Sequence, residues 1–486
     1  MNWSVPHSAP QSITIDDCPL TCESVWAVAQ GASVTVADEQ IETMNDNANS
    51  IPAESRILAS KRHWLTGEPS PDSKNLAQGF ILGHCAGVGK PFSKEIVRAA
   101  MMARLKVLTS GHTGSRGVVA TKLSDMLNLD IVPTVPSQGS VGAAGDLAPM
   151  SYIARTLCGY DGQTYPDFTP LVPTDKEALA LINGISLSTA IAALAVVRAE
   201  RVFEASVWTA GLTMEVVRAQ SQCLDDRALR ARKHPEVAEV GELLRQIVNG
   251  SQRVLPDNNI DAFSIRATPS VMGAVWRTIR FAKEEVEREL NGISDNPLIF
   301  DGEWIEAGNF HGASMGLAMD HLATALTQLA TLSERRTFRL THGKLSNNLP
   351  SFLVQGTGLN SGFMLAQYTA AALASECKGL AHPASADSIP TVQHHEDHVS
   401  MSPIAARKAL DILECLADIV AIELLVGAQA LDLRQQEDGL SAPTPLAKLH
   451  QQIRQEVPFW QDDEVLHPAI RSLSVMVRKG LPPIKA

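Results

Sequence analysis

Apolar residues recur along most of this chain at helical spacing. From Met315, the positions Met315, Met319, Leu322, Leu326 and Leu329 advance by four and three, the step that keeps side chains on one face of a helix. A second run opens at Pro403, a residue suited to the first turn of a helix, and reaches Leu433 without another proline. Its apolar residues Ile404, Leu410, Leu413, Leu416, Ile419, Val420, Leu424 and Leu425 fall on nearly every side. Such a helix is buried all round, inside a bundle or between subunits. A third proline-free run spans 186–220. β-Branched alternation is short and lies mostly near the N-terminus, with candidate strands at Ser12–Ile15 and 32–36.

The pattern predicts a mainly α fold in three regions. Residues 1–185 form a loop-rich cap in which glycine-bearing segments, 83–89 and 139–145, cluster. Residues 186–439 form a long central helix bundle. Residues 440–486, broken by Pro443, Pro445, Pro458, Pro468, Pro482 and Pro483, form an extension of short helices and turns. A length of 486 residues, too great for one compact core of usual size, fits this division.

Charge and cysteines exclude some functions. The net charge is −12, and no run of Lys and Arg offers the clustered cations that nucleic-acid phosphates need. The opening residues lack a basic start followed by an apolar core, so no secretory signal is expected and the cytoplasm is the expected location. The greasiest stretch, 185–197, is interrupted by Ser and Thr and is too short to span a bilayer. Seven cysteines, an odd number without C-x-x-C spacing, read as reduced thiols. Only Cys18 and Cys22 lie close together, and no metal is expected there.

Residues 139–149 read Gly-Ser-Val-Gly-Ala-Ala-Gly-Asp-Leu-Ala-Pro. This stretch resembles the signature of the histidine and phenylalanine ammonia-lyases, the aromatic amino acid lyases. Further blocks follow in the family's order: 84–89 (His-Cys-Ala-Gly-Val-Gly), 181–184 (Leu-Ile-Asn-Gly), 294–298 (Ser-Asp-Asn-Pro-Leu), 308–312 (Gly-Asn-Phe-His-Gly), 360–363 (Asn-Ser-Gly-Phe), 381–385 (Ala-His-Pro-Ala-Ser) and 396–401 (Glu-Asp-His-Val-Ser-Met). The pattern is most similar to the histidine ammonia-lyases. The resemblance implies a helical homotetramer whose active sites draw on three subunits.

Four departures fall where that family does its chemistry. Its Ala-Ser-Gly tripeptide cyclises to a methylidene-imidazolone, and the serine hydroxyl leaves as water. Here the tripeptide is Ala143-Ala144-Gly145, and Ala144 has no hydroxyl to lose. In the segment 61–69 the family's loop tyrosine, its catalytic base, is Arg62, and Phe-Gly is replaced by Glu68-Pro69. No tyrosine precedes Tyr152, so no local realignment restores that base. Phe263 and Ile260 stand where tyrosine and glutamine are usual, and His395 stands where histidine-specific members have glutamine. Ala144 alone fits a laboratory substitution; Arg62, Phe263 and Ile260 alongside it favour natural divergence.

The expected cofactor is therefore none. Arginine is permanently charged and cannot take a proton, so ordinary ammonia-lyase turnover loses both electrophile and base. The resemblance still implies a binding shell. Arg266 matches a carboxylate clamp, Asn183 a carbonyl-polarising amide and Phe310 an apolar wall, while Arg62 adds a second cation. Glu396, His395 and His84 are the candidate catalytic groups for proton transfer near neutral pH. Each has a plainer counterpart. The 139–149 loop also reads as a turn before a helix whose amides bind anions, Arg266 as an ion-pair arginine, and His84 as a packed histidine. The run His394-His395-Glu396-Asp397-His398 looks like a metal site, but neighbouring side chains on an extended loop point opposite ways. Three functions follow. One is an enzyme working by acid–base elimination, addition or rearrangement on a small amino-acid-like or carboxylate substrate without methylidene-imidazolone. The others are an inactive homologue that binds an amino acid or regulates an active relative, and a lyase whose serine 144 was replaced in the laboratory.

Overall fold

The computed structural model describes residues 10–51, 76–256, 260–356 and 358–481. Arg62 and the 61–69 segment lie outside the described residues.

Three of the long helices follow the apolar runs. Ser186–Val216 is buried at every position except Arg198 and Arg201. Ala313–Thr341 carries the four-and-three seam inward, with Met315, Met319, Leu322, Leu326 and Leu329 all fully buried. Ser402–Asp438 is the axis, packed against both of these and against Met364–Leu380 and His467–Lys479. Thr268–Leu290 covers the Ala313–Thr341 and Ser186–Val216 helices from outside. A buried carboxylate ties the bundle together. Glu423 accepts both Arg336 Nε (2.6 Å) and Nη2 (2.8 Å), together with Thr213 Oγ1 (2.8 Å) and Ser333 Oγ (2.6 Å). A charge so deep is tolerable because it is paired bidentately and its remaining lone pairs are used.

The N-terminal region is more helical than its glycine content suggests. It contains Leu76–His84, Lys94–Leu108, Gly117–Asn128, Leu147–Leu157 and Asp175–Ile182. The last of these begins with a capping box, Thr174 taking the Glu177 amide and Glu177 reaching back to the Thr174 amide. Strand is scarce. Ser12–Ile15 pairs in parallel with Ser33–Val36, Val88–Pro91 pairs antiparallel with Pro136–Gln138, and Leu298–Phe300 forms a hairpin with Glu303–Ile305. Beyond residue 440 come Thr444–Glu456 and His467–Lys479, each with a proline in its first turn. Among the described residues no helix is long and apolar enough to cross a membrane.

Candidate active site

The 139–146 loop lies across the starts of four long or medium helices. Leu147–Leu157 follows it directly; Ser186–Val216 and Ser402–Asp438 begin against it through Ser188 and Ser402, and Gly312, just before Ala313–Thr341, packs on the same Ser402. Close packing fixes its path. A Cβ on Gly145 would stand 2.1 Å from the Gly184 carbonyl oxygen, and one on Gly142 or Gly312 would meet the Ser400 or Ser402 hydroxyl within 2.4 Å. Gly145 and Gly184 form a bridge in which the Asp146 amide donates to the Gly184 carbonyl (2.7 Å) and the Gly184 amide to the Ala144 carbonyl (3.3 Å). On the other side the Ser400 hydroxyl donates to the Gly142 carbonyl (2.9 Å) and the Met401 amide to the Val141 carbonyl (2.8 Å). Ala143 is buried against Val399 and Met401, and Ala144 is half-buried between these supports.

Asp146 anchors the loop from below. Its fully buried carboxylate accepts the Ser188 amide (2.7 Å), the Ser188 hydroxyl (3.0 Å) and the Ser140 hydroxyl (3.3 Å). The Ser188 hydroxyl also meets that of Ser402 at 3.0 Å, joining the starts of two central helices. Burial pushes the Asp146 carboxyl up to about 6, against the pull of those serine hydrogen bonds.

Asn183 is placed by a second buried network. Arg104 donates to the Asn183 carbonyl (2.6 Å) and the Ser294 carbonyl (3.0 Å), and pairs with Asp295 at 3.2 Å. Lys176 reaches the other oxygen of Asp295 at 3.1 Å. The Asn183 side-chain nitrogen donates to the Asn296 carbonyl (3.1 Å), and its buried Oδ1 has no partner among the described residues. An acceptor left in that state costs about 1–3 kcal/mol unless something donates to it.

The remaining candidate residues fall into two groups. The His84 segment borders the loop, since a Cβ on Gly139 would touch the Gly87 backbone at 3.0 Å. His84 ends the Leu76–His84 helix with Nδ1 2.6 Å from the Phe80 carbonyl and its ring 4.4 Å from that of Phe80. His311 and His398 stack at 5.6 Å, which brings the 308–312 and 396–401 segments together beside Phe310, itself half-buried. Glu396 takes the Thr391 hydroxyl at 2.6 Å, and His395 is exposed. Val392, Gln393 and His394 all have positive φ (46°, 53° and 68°), so the histidine run forms a tight turn rather than an extended strand. Arg266 stands apart. It closes the short Phe263–Arg266 helix, exposed, with its guanidinium 5.1 Å from the exposed Phe263 ring. Its described contacts do not reach the loop. Among the described residues no three His, Cys, Asp or Glu side chains are grouped to hold a metal.

Asp146, Ser188, Arg104, Asp295, Ser400 and Ser402, which position the loop and Asn183, are not among the residues the sequence singles out. Asp146, Asp295 and Ser400 lie inside the family-like blocks; Ser188, Arg104 and Ser402 carry no local signal.

The fold is that of the ammonia-lyases and aminomutases. Tyrosine aminomutase from Streptomyces globisporus superposes with a TM-score of 0.90 (33% identity, 96% of this chain and 97% of that one). Histidine ammonia-lyase from Trypanosoma cruzi gives 0.86 (34% identity, 96% and 93%). In sequence, the histidine ammonia-lyase of Geobacillus thermodenitrificans (strain NG80-2) is 41% identical over 426 residues, 84% of each chain. That of Halalkalibacterium halodurans is 36% identical over 481 residues, 93% of each. Residues 65–455 match the sequence model of the aromatic amino acid lyases, and the chain belongs to that family.

Proposed function

We propose that this chain is an ammonia-lyase-type enzyme that acts on a small amino acid or amino-acid-like carboxylate without a methylidene-imidazolone. The residues present do not fit that group: position 144 is alanine, and its methyl cannot leave as a hydroxyl does. The observation that carries the reading is the convergence of four helix N-termini on one corner that also holds the unpartnered Asn183 Oδ1. Helix N-termini favour an anion, and a buried acceptor calls for a donor such as a substrate ammonium or hydroxyl.

In this reading Arg266 clamps the substrate carboxylate, Phe310 walls its side chain, and Glu396, His395 and His84 hold and move protons. Arg62 adds a cation that favours an anionic substrate. The reaction is an elimination, an addition or a rearrangement, the last in keeping with the tyrosine aminomutase likeness. The histidine ammonia-lyase relatives make an amino acid such as histidine the first substrate to try. Arg266, Phe263, Ile260 and Leu359 are all exposed in the single chain, which suits assembly into a homotetramer that completes the pocket. A cytoplasmic location suits the bacterial relatives. A second reading, an inactive homologue that binds an amino acid or regulates an active relative, is favoured by Ala144 and Arg62 together.

The test is a pair of variants. Arg266→Ala should weaken binding of a carboxylate ligand at least tenfold, while Glu396→Gln should leave binding in place and abolish turnover. If both variants bind and turn over as the parent does, the assigned roles are wrong.

A further inference from the structure

The Ser186–Val216 helix opens to the surface only at Arg198 and Arg201. Both line a cleft of about 620 Å³, with Trp26, Arg478 and Lys479 around them. The cleft also holds Glu95 and Glu414, but these are taken. Arg198 pairs with Glu95 (2.6 Å) and Glu414 (3.1 Å), and Arg478 with Glu414 (3.0 Å) and Asp418 (3.1 Å). Two cations are left over. Arg201 lies over the Trp26 ring at 4.5 Å, and neither it nor Lys479 has a carboxylate partner among the described residues. Burial, with Arg198 alongside, pushes the half-buried Arg201 guanidinium below its ordinary range, outweighing the attraction of Glu95 and Glu200. This surplus of positive charge lies within a chain of net charge −12.

We propose that this cleft binds a small multivalent oxyanion, a polycarboxylate or a phosphate ester, held by Arg201 and Lys479. A cleft of this volume is within the range of small-molecule sites, and two or more negative charges would match the unpaired cations where chloride would not. The site is distant from the catalytic corner but mechanically joined to it. Arg198 and Glu414 link the two helices whose first turns carry Ser188 and Ser402, at about 15 Å and 18 Å along each axis. A ligand that draws Arg198 and Arg478 from Glu414 would loosen that link.

Calorimetric titration of the full chain with pyrophosphate and with citrate, each at fixed ionic strength, tests the proposal. At least one probe should bind saturably below millimolar concentration, and the tighter of the two assigns the class. Lys479→Ala should weaken that binding at least fivefold. Glu414→Gln should tighten it, because it removes one negative charge from the cleft and one of the two carboxylates held by each of Arg198 and Arg478, and Arg266→Ala should leave it unchanged. The proposal fails if neither probe binds beyond the effect of chloride, or if Lys479→Ala and Glu414→Gln both bind as the parent does. It fails equally if Arg266→Ala removes the binding, which would place the anion in the catalytic corner.

Discussion

Replacing Gly145 by alanine should break the frame of the candidate site, and a second glycine provides the control. Gly145 has φ +88°, and its new Cβ would stand 2.1 Å from the Gly184 carbonyl oxygen and 2.3 Å from its carbon. The left-handed backbone costs a non-glycine residue about 1–3 kcal/mol. The clash is with backbone, so the 144–146 and 184 segments must separate, losing the 2.7 Å and 3.3 Å hydrogen bonds at about 1 kcal/mol each. The loss should total about 3–5 kcal/mol. Gly162 has φ +73°, and a Cβ there would meet nothing within 4 Å. Gly162→Ala therefore carries the backbone penalty alone. Urea unfolding of the two variants, compared at equal slope, should separate them by about 2 kcal/mol. Equal losses would mean that the Gly145–Gly184 contact does not hold the loop.

Other outcomes follow from the same geometry. Asp295→Ala should cost about 3–5 kcal/mol in unfolding experiments, because it leaves Arg104 and Lys176 buried without their carboxylate; a cost under about 1 kcal/mol would show that water reaches them. Arg266→Ala, at an exposed position, should change stability by less than about 0.5 kcal/mol while reducing ligand affinity, measured by calorimetry on the same preparation. Asp146 has a folded pKa of about 6 against an ordinary 3.8, so the folded state takes up a proton that the unfolded state does not as pH falls from 7 to 5. Stability should rise by about 1.4 kcal/mol over that window relative to Asp146→Asn, and a flat difference would mean that the surrounding helix N-termini keep the carboxylate ionised. Ala144→Ser should release no ammonia from histidine at a rate near that of a family lyase if, as proposed, Arg62 takes the place of the family's base; ready release would favour a laboratory substitution at position 144.

The bundle could be read from the chain because its staves carry long, uninterrupted apolar patterns. Ser186–Val216, Ala313–Thr341 and Ser402–Asp438 begin within a few residues of the expected starts. Thr268–Leu290 was harder to see, since its outer face is a run of Lys, Glu and Arg. Met364–Leu380 is rich in alanine, which gives little contrast between faces. Glycines in the first 185 residues suggested loops, yet many of them are the turns between helices, as at Gly111 and Gly114 with positive φ. The corner's outline was legible through blocks shared with a family. Its supports were not, because Arg104 and Asp295, or Ser188 and Asp146, meet only after distant segments fold together.

On the proposed function, chemistry survives without the family's electrophile. Mass spectrometry of small molecules, after incubation of the pure protein with a broad pool of amino acids and carboxylic acids, tests it most directly. One compound should fall while a product of matching elimination, addition or rearrangement mass appears, and Glu396→Gln should stop both changes. If no compound changes in the presence of the parent protein, the claim is contradicted and the chain is a binding or regulatory member of its family.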